Sequence, residues 1–350
     1  MVDENTVRSG NLFDFATSEL SQDAFVCWLC SRWDDPDDTV RAASQNLLHA
    51  MLGSDDPTPV RVPRVVRQRC HVDVALLTEH AGVRRIVIVE DKTGSVDHDD
   101  QLRRYPERAD DLFPGEPYDG VRVVYYKTGP LVEYARIADQ CDTILGLEDI
   151  VPLIVTTGVG SPNSILAEYA EHLQHLHDRR TMWRSRPIGD WDDEARAGYA
   201  EHLHRRILDA GWSGWVLFEK PDTNSPRGAH WVVSLGNGQE LGPHRVKTFV
   251  GVEFPPDNIH PDWLLRVLVR IDSPGEPYNR HDCGLTPIND RRGFTSRRSP
   301  VAIIGLIDTI PDTPEGRAAT ADRLDMTVDA AIGEYQAWCD RNRPEGGEDR

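Results

Sequence analysis

The chain holds no apolar run of the roughly 20 residues needed to cross a bilayer, so no membrane span is expected. Cysteine is scarce and irregularly placed, six in 350 residues, which gives no disulfide framework and points to a reducing cytoplasm. The opening MVDENTVRSG is polar and acidic where a secretory leader would be basic and then apolar. Positive charge is also in short supply: 39 Lys and Arg face 58 Asp and Glu, a formal net charge of −19. A protein that coats nucleic acid without specificity needs clustered cations to neutralise phosphates, so that class is disfavoured. No internal repeat and no low-complexity tract occurs.

What is present is locally patterned. Arg61, Arg64, Arg67 and Arg69 crowd one short segment, and Arg103 and Arg104 follow an acidic stretch. Ala24, Phe25, Trp28, Leu29 and Trp33 recur at helical spacing within Phe15–Trp33, with Ser18 or Ser21 as N-cap. DDPDD at 34–38 ends that helix, and a second, over 39–52, stops at Gly53. Strand patterns cover 60–67, 70–78 and 84–92, a helix 97–111 and a further strand 121–126. The two middle strands are apolar on both faces: Val72, Val74 and Leu76 against Ala75 and Leu77, then Val87 and Val89 against Ile86 and Ile88. Strands of that kind are covered above and below by helices.

The apolar run Val151–Val159 is closed by the turn GSPNS, and a long amphipathic helix follows over 165–179. RSRPIGDWDDE reads as a connection to a second unit. That unit has a helix near 195–210, strands near 214–219, 229–235, 248–253, 264–271 and 301–307, and a terminal helix near 327–341. The expected organisation is a core over 1–160, a connecting helix and linker over 161–190, an α+β region over 191–342 and a disordered tail over 343–350.

If the middle strands form a hairpin with a four-residue loop at 80–83, Asp73 stands opposite Glu90, with Cβ atoms about 5 Å apart. Lys92 lies on the same face as Glu90, roughly 6.6 Å further along the strand. Two acids and an ammonium on an apolar pleat cost desolvation energy that a purely structural sheet avoids. A hard cation such as Mg²⁺ resolves the repulsion, because it binds carboxylate oxygens and keeps waters for chemistry. On spacing alone, D-x₁₆-E-x-K is equally the pattern of a cross-strand salt bridge.

Further residues narrow the choice. FDFATSELSQDAFVCWLC at 13–30, HVDVALL at 71–77 and IVIVEDKTGSVDHDDQLRRY at 86–105, in the order helix, three strands, helix, strand, resemble the PD-(D/E)xK nuclease superfamily. The particular likeness is to bacterial members with an extended C-terminal half. It covers about the first 160 residues, and Val72 replaces the motif's leading proline. The resemblance implies an α/β, restriction-endonuclease-like core, a mixed central sheet flanked by helices, followed by a C-terminal α+β region. It implies that Asp73 and Glu90 hold the metal, that Lys92 is the catalytic lysine, and that Glu19 completes or orients the metal site. Gln101 and Tyr105 match its Q-x-x-x-Y element, an i, i+4 pair on one helix face. Gln101 is then a catalytic-site residue and Tyr105 a substrate contact or a core aromatic. Arg64, Arg67 and Arg69 approach substrate phosphates on this reading and form a solvated strand edge otherwise. The implied activity is Mg²⁺-dependent hydrolysis of nucleic-acid phosphodiesters, Mn²⁺ being a substitute and DNA favoured over RNA. A place in restriction or antiviral defence follows only by analogy of fold. The C-terminal half would meet a regulatory partner or a second copy of the chain. The competing expectation is a catalytically silent nuclease-fold protein that binds a partner or a nucleotide signal.

Other signals read as structure. Cys27 and Cys30 sit inside a Trp-flanked helix and have no second pair to make a metal site. Asp97–Asp100 suits an acidic helix start. His172, His175 and His177 lack the spacing of metal ligands on a helix. Trp212, Trp215 and Trp231 suit packing better than base stacking. Arg291, Arg292, Arg297 and Arg298 lie in a glycine-containing loop.

Overall fold

The computed structural model of the chain describes residues 10–93, 101–132, 134–211, 214–219, 230–244, 246–254, 262–272, 285, 288 and 301–343. Asp97–Asp100, Trp212 and the four loop arginines fall outside them. Two compact units divide between Asp178 and Arg179.

In the first unit, helix α1 (Glu19–Cys30) is capped by Ser18, whose hydroxyl accepts from the Ser21 amide at 3.3 Å. Helix α2 (Asp38–Leu52) starts at the Asp37 cap and ends at Gly53 in the left-handed conformation that glycine adopts freely. Strands β1 (Arg61–Arg69), β2 (Val72–His80) and β3 (Val83–Lys92) follow. The short helices α3 (Gln101–Arg104) and α4 (Ala109–Leu112) precede β4 (Gly120–Lys127). Then come α5 (Tyr134–Ile137), β5 (Thr143–Leu145), α6 (Leu147–Gly158) and α7 (Ser164–Thr181).

The five strands form one sheet in the order β1-β2-β3-β4-β5, with β1, β2 and β3 antiparallel and β3, β4 and β5 parallel. A mixed sheet flanked by helices is what the apolar-on-both-faces pattern requires. One face packs Val74, Leu76, Val87, Val89 and Tyr126 under α1, α2, α6 and α7. The other packs Ala75, Leu77, Ile86, Ile88 and Tyr125 with Leu102, Tyr105 and Leu112. Val72 departs from the expected alternation and joins this second cluster, where the chain has just left a tight turn.

The β2–β3 loop is shorter than expected. His80 pairs with Val83, so only Ala81 and Gly82 turn the chain, both at positive φ (48° and 79°). That is the geometry of a two-residue hairpin whose twist matches its strands. The expected helix over 97–111 is broken into α3, a 3₁₀ turn at Tyr105–Arg108 and α4. Pro106, which has no amide hydrogen to give an α-helical ladder, stands at the break. The expected connection over 161–190 is shared between the units: Leu166, Tyr169, Ala170 and Leu173 of α7 belong to the first core, while Arg180 onward belongs to the second unit.

The second unit is α+β. Helix α8 (Asp193–Asp209), strands β6 (Gly214–Glu219), β7 (His230–Leu241), β8 (Val246–Phe254), β9 (Trp263–Asp272) and β10 (Val301–Pro311), and helices α9 (Pro314–Arg317) and α10 (Ala321–Arg341) run in that order. The strands make an antiparallel meander, β10-β9-β8-β7-β6. Tyr335 ties α10 to β8 by donating to the Thr248 carbonyl at 2.8 Å, and Tyr199 ties α8 to α10 by donating to Asp325 at 2.8 Å. Trp231 is buried in β7, which suits packing. Among the described residues no helix is long and apolar enough to cross a membrane.

Candidate active site

The β2–β3 register runs Val74↔Val89, Ala75↔Ile88, Leu76↔Val87, and its continuation sets Asp73 across from Glu90. Pleating then puts Glu90 and Lys92 on one face and Asp91 on the other. Glu90 is 1 % exposed and its Oε1 lies 2.5 Å from the Lys92 ammonium. The Tyr105 hydroxyl donates to Glu90 Oε2, and Gln101 Nε2 reaches the same oxygen at 3.4 Å while also donating to the Tyr105 hydroxyl. Both Glu90 carboxylate oxygens therefore meet a named donor.

Burial, and then the neighbouring Asp73 carboxylate, push Glu90 up to about 7, against the opposing pull of Lys92 and Tyr105. Burial works against the Lys92 charge, but Glu90, Asp73 and Glu19 outweigh it and hold the ammonium above the ordinary lysine range. Burial and the adjoining carboxylate keep Tyr105 protonated, as a donor must be.

On the opposite face Asp91 is fully buried and meets Asp23 of α1, also fully buried. Burial raises both carboxyls above the usual carboxylate range, Asp91 well above it. Asp23 Oδ1 and Asp91 Oδ2 are buried with no hydrogen-bond partner among the described residues, and a single proton between them would satisfy both. Gln22 donates to Asp91 Oδ1 and accepts from the Thr128 hydroxyl at 2.7 Å. Asp73 is tied in from both sides: its Oδ2 accepts from the Asp91 amide at 3.0 Å and its Oδ1 from Gln68 Nε2 at 3.0 Å. The same Gln68 nitrogen donates to Asp23 Oδ2 at 2.6 Å.

Of the residues expected from sequence, Asp73, Glu90, Lys92 and Gln101 converge. Glu19 lies beside them: its Oε1 accepts from the Thr93 amide at 3.4 Å, and its charge acts on Lys92. Tyr105 is buried, with its hydroxyl donating to the Glu90 carboxylate. Arg67 is near, donating to the Leu20 carbonyl at 3.0 Å and acting on Asp23. Arg69 stands exposed at the end of β1. Arg64 is not brought in. It pairs with Leu77, four residues along β2 from Asp73 or roughly 13 Å; there it bonds Glu116 at 3.1 Å and covers Phe113.

Gln22, Asp23, Gln68, Asp91 and the buried Lys127 were not anticipated. Lys127 pairs with Lys92 across β3 and β4, which places it on the same face. A signal for two of them existed. Gln22 and Asp23 fall on the α1 stripe that also carries Val26, Leu29 and Cys30, where only apolar residues are expected. Cys27 and Cys30 are packed in the helix, and burial pushes the Cys27 thiol up to about 12, far from a reactive thiolate.

Asp73 and Glu90 fit a hard cation that takes one or two carboxylates and completes its shell with water and substrate oxygens. They do not make a three-ligand centre: among the described residues no three His, Cys, Asp or Glu side chains form a group able to hold an ion.

No family model, curated protein or solved structure matches the chain. Any functional reading accordingly rests on the site itself.

Proposed function

We propose that the first unit is a divalent-metal-dependent nuclease hydrolysing phosphodiester bonds, with DNA the favoured substrate. The observation that carries this reading is the buried Glu90, facing Asp73 across the hairpin and held 2.5 Å from an ammonium only 14 % exposed. A sheet has no structural need for that combination, which costs desolvation energy wherever it occurs. Mg²⁺, bound through the two carboxylates, would supply an activated water and polarise a phosphoryl oxygen.

The chain's own residues have separate tasks. Tyr105 and Gln101 fix Glu90 by donating to Oε2, leaving its charge directed toward Asp73 and Lys92. Lys92 is the cation nearest the reacting phosphate and steadies the negative charge that grows on its oxygens. Arg67 and Arg69 lie on the β1 end beside Asp73 and suit flanking phosphates of the strand.

A second reading is favoured by one observation. Both Glu90 oxygens are already bonded by protein donors, as in a nuclease-fold protein that binds a partner or a nucleotide signal without cutting. Cleavage of single-stranded DNA, duplex DNA and RNA with Mg²⁺ or Mn²⁺, wild type beside Lys92→Ala, separates the two. Metal-dependent product from wild type and its loss in the variant are expected. Intact substrates with both metals would replace the nuclease reading with the binding one.

A further inference from the structure

Gln68 has a backbone that its side chain does not favour. It sits in β1 opposite Asp73, between the pairs Arg67↔Val74 and Arg69↔Val72, yet its φ is +50°. A long side chain in that region carries a steric penalty from its Cβ, and such strain persists only where surrounding contacts over-determine it. Cys70 and His71, which make the two-residue turn to β2, also have positive φ (54° and 60°). Their conformation is explained by the hairpin. That of Gln68 is not, because it precedes the turn.

What the strained residue achieves is a bridge. Its amide nitrogen donates 2.6 Å to Asp23 Oδ2 and 3.0 Å to Asp73 Oδ1. Asp23 is fully buried on α1 and braced against Asp91, so it is a fixed anchor. Asp73, by contrast, is half-buried at the first turn of β2. Without the bridge, the Asp91 amide bond would be the one described contact left on its carboxylate. That single contact leaves the carboxylate free to swing about its χ angles and away from Glu90.

We infer that Gln68 is a positioning residue: its amide ties Asp73 to the buried Asp23 and holds the Asp73 carboxylate in the place from which it acts with Glu90. The inference rests on the nuclease reading of that site. Residues that orient a ligand without touching the metal characteristically change affinity by 10–100-fold when removed.

Two variants of the full chain test it. Gln68→Gly removes the amide and adopts φ +50° without strain, so the hairpin keeps its turn. Gln68→Met keeps the length of the side chain and removes only the donor. Mn²⁺ affinity by calorimetry is the decisive readout, because a residue that merely braces the hairpin would not move it; cleavage rate and unfolding midpoint are recorded beside it. We expect both variants to remain folded and to bind Mn²⁺ about 10–100-fold more weakly than wild type, with a parallel loss in cleavage. A folded variant that binds within twofold of wild type would overturn the positioning role while leaving the nuclease reading intact. Absence of Mn²⁺ binding by wild type would strike the nuclease reading first, and the role of Gln68 with it.

Discussion

Glu90 and Asp91 are neighbours in one strand, equally buried, and point to opposite faces of the same sheet. Their surroundings solve the problem of a buried carboxyl in opposite ways. Glu90 is given an ammonium, a phenol and an amide, all donors. Asp91 is given another acid, Asp23, and an amide from Gln22, so that on that face burial raises the carboxyls and a shared proton would stand where the other face has a cation. Burial raises both, Asp91 well above the carboxylate range, while the Lys92 ammonium draws Glu90 back toward its charged form, to about 7. The difference separates the face that carries the proposed chemistry from the one that packs against α1.

The comparison can be broken most severely at Lys92. Lys92→Ala leaves Glu90 buried without its cation, and loss of cleavage on the order of 10²–10³-fold is expected in a metal-dependent assay. Retained turnover would make the ammonium a structural partner only. Next in size is Tyr105→Phe, which removes a hydroxyl donor from a buried carboxylate and should cost about 1.5–3 kcal/mol in urea unfolding.

The proton-sharing face gives a pH signature. Because Asp23 and Asp91 are raised in the folded protein, the fold binds protons that the unfolded chain has released. Their contribution to stability therefore grows as pH falls from the raised folded range toward the unfolded value near 4, and shrinks again as pH rises. Asp91→Asn removes one partner of that pair, so the difference in unfolding free energy between wild type and variant should drift in favour of the variant from pH 5 to pH 7. A pH-independent difference would mean that no proton is shared. The smallest effect belongs to Arg64→Ala, whose charge is engaged with Glu116: cleavage unchanged, and stability lower by less than about 1 kcal/mol.

Much of the first unit was legible because two periodicities agreed. Strand patterns on either side of Gly82 suggested a hairpin, and the register assumed for it set Asp73 opposite Glu90; the turn is two residues and not four, but it shortens symmetrically about the same pairs and leaves that pairing in place. The elements of the second unit were legible for the same reason, from the spacing of its apolar strands between α8 and α10. What escaped was whatever depends on contact between elements distant in sequence. Gln68 and Asp23 are separated by 45 residues, and nothing local marks either as a partner of Asp73. Three-residue β5 is too short to show a pattern. Gln101 and Tyr105 were placed on one face by their i, i+4 spacing, but only the packed structure turns the tyrosine inward to Glu90.

The two-residue link at Ala81–Gly82 governs which face each β3 side chain takes. Side chains exchange sides at every step of a strand, so a one-place slide of β3 against β2 about this turn would move every β3 side chain to the opposite face. Asp91 would then face Tyr105, while Glu90 and Lys92 would be turned toward Asp23 and the apolar cluster that holds Tyr126. The facing of Glu90, Asp91 and Lys92 thus depends on the register that this one turn sets.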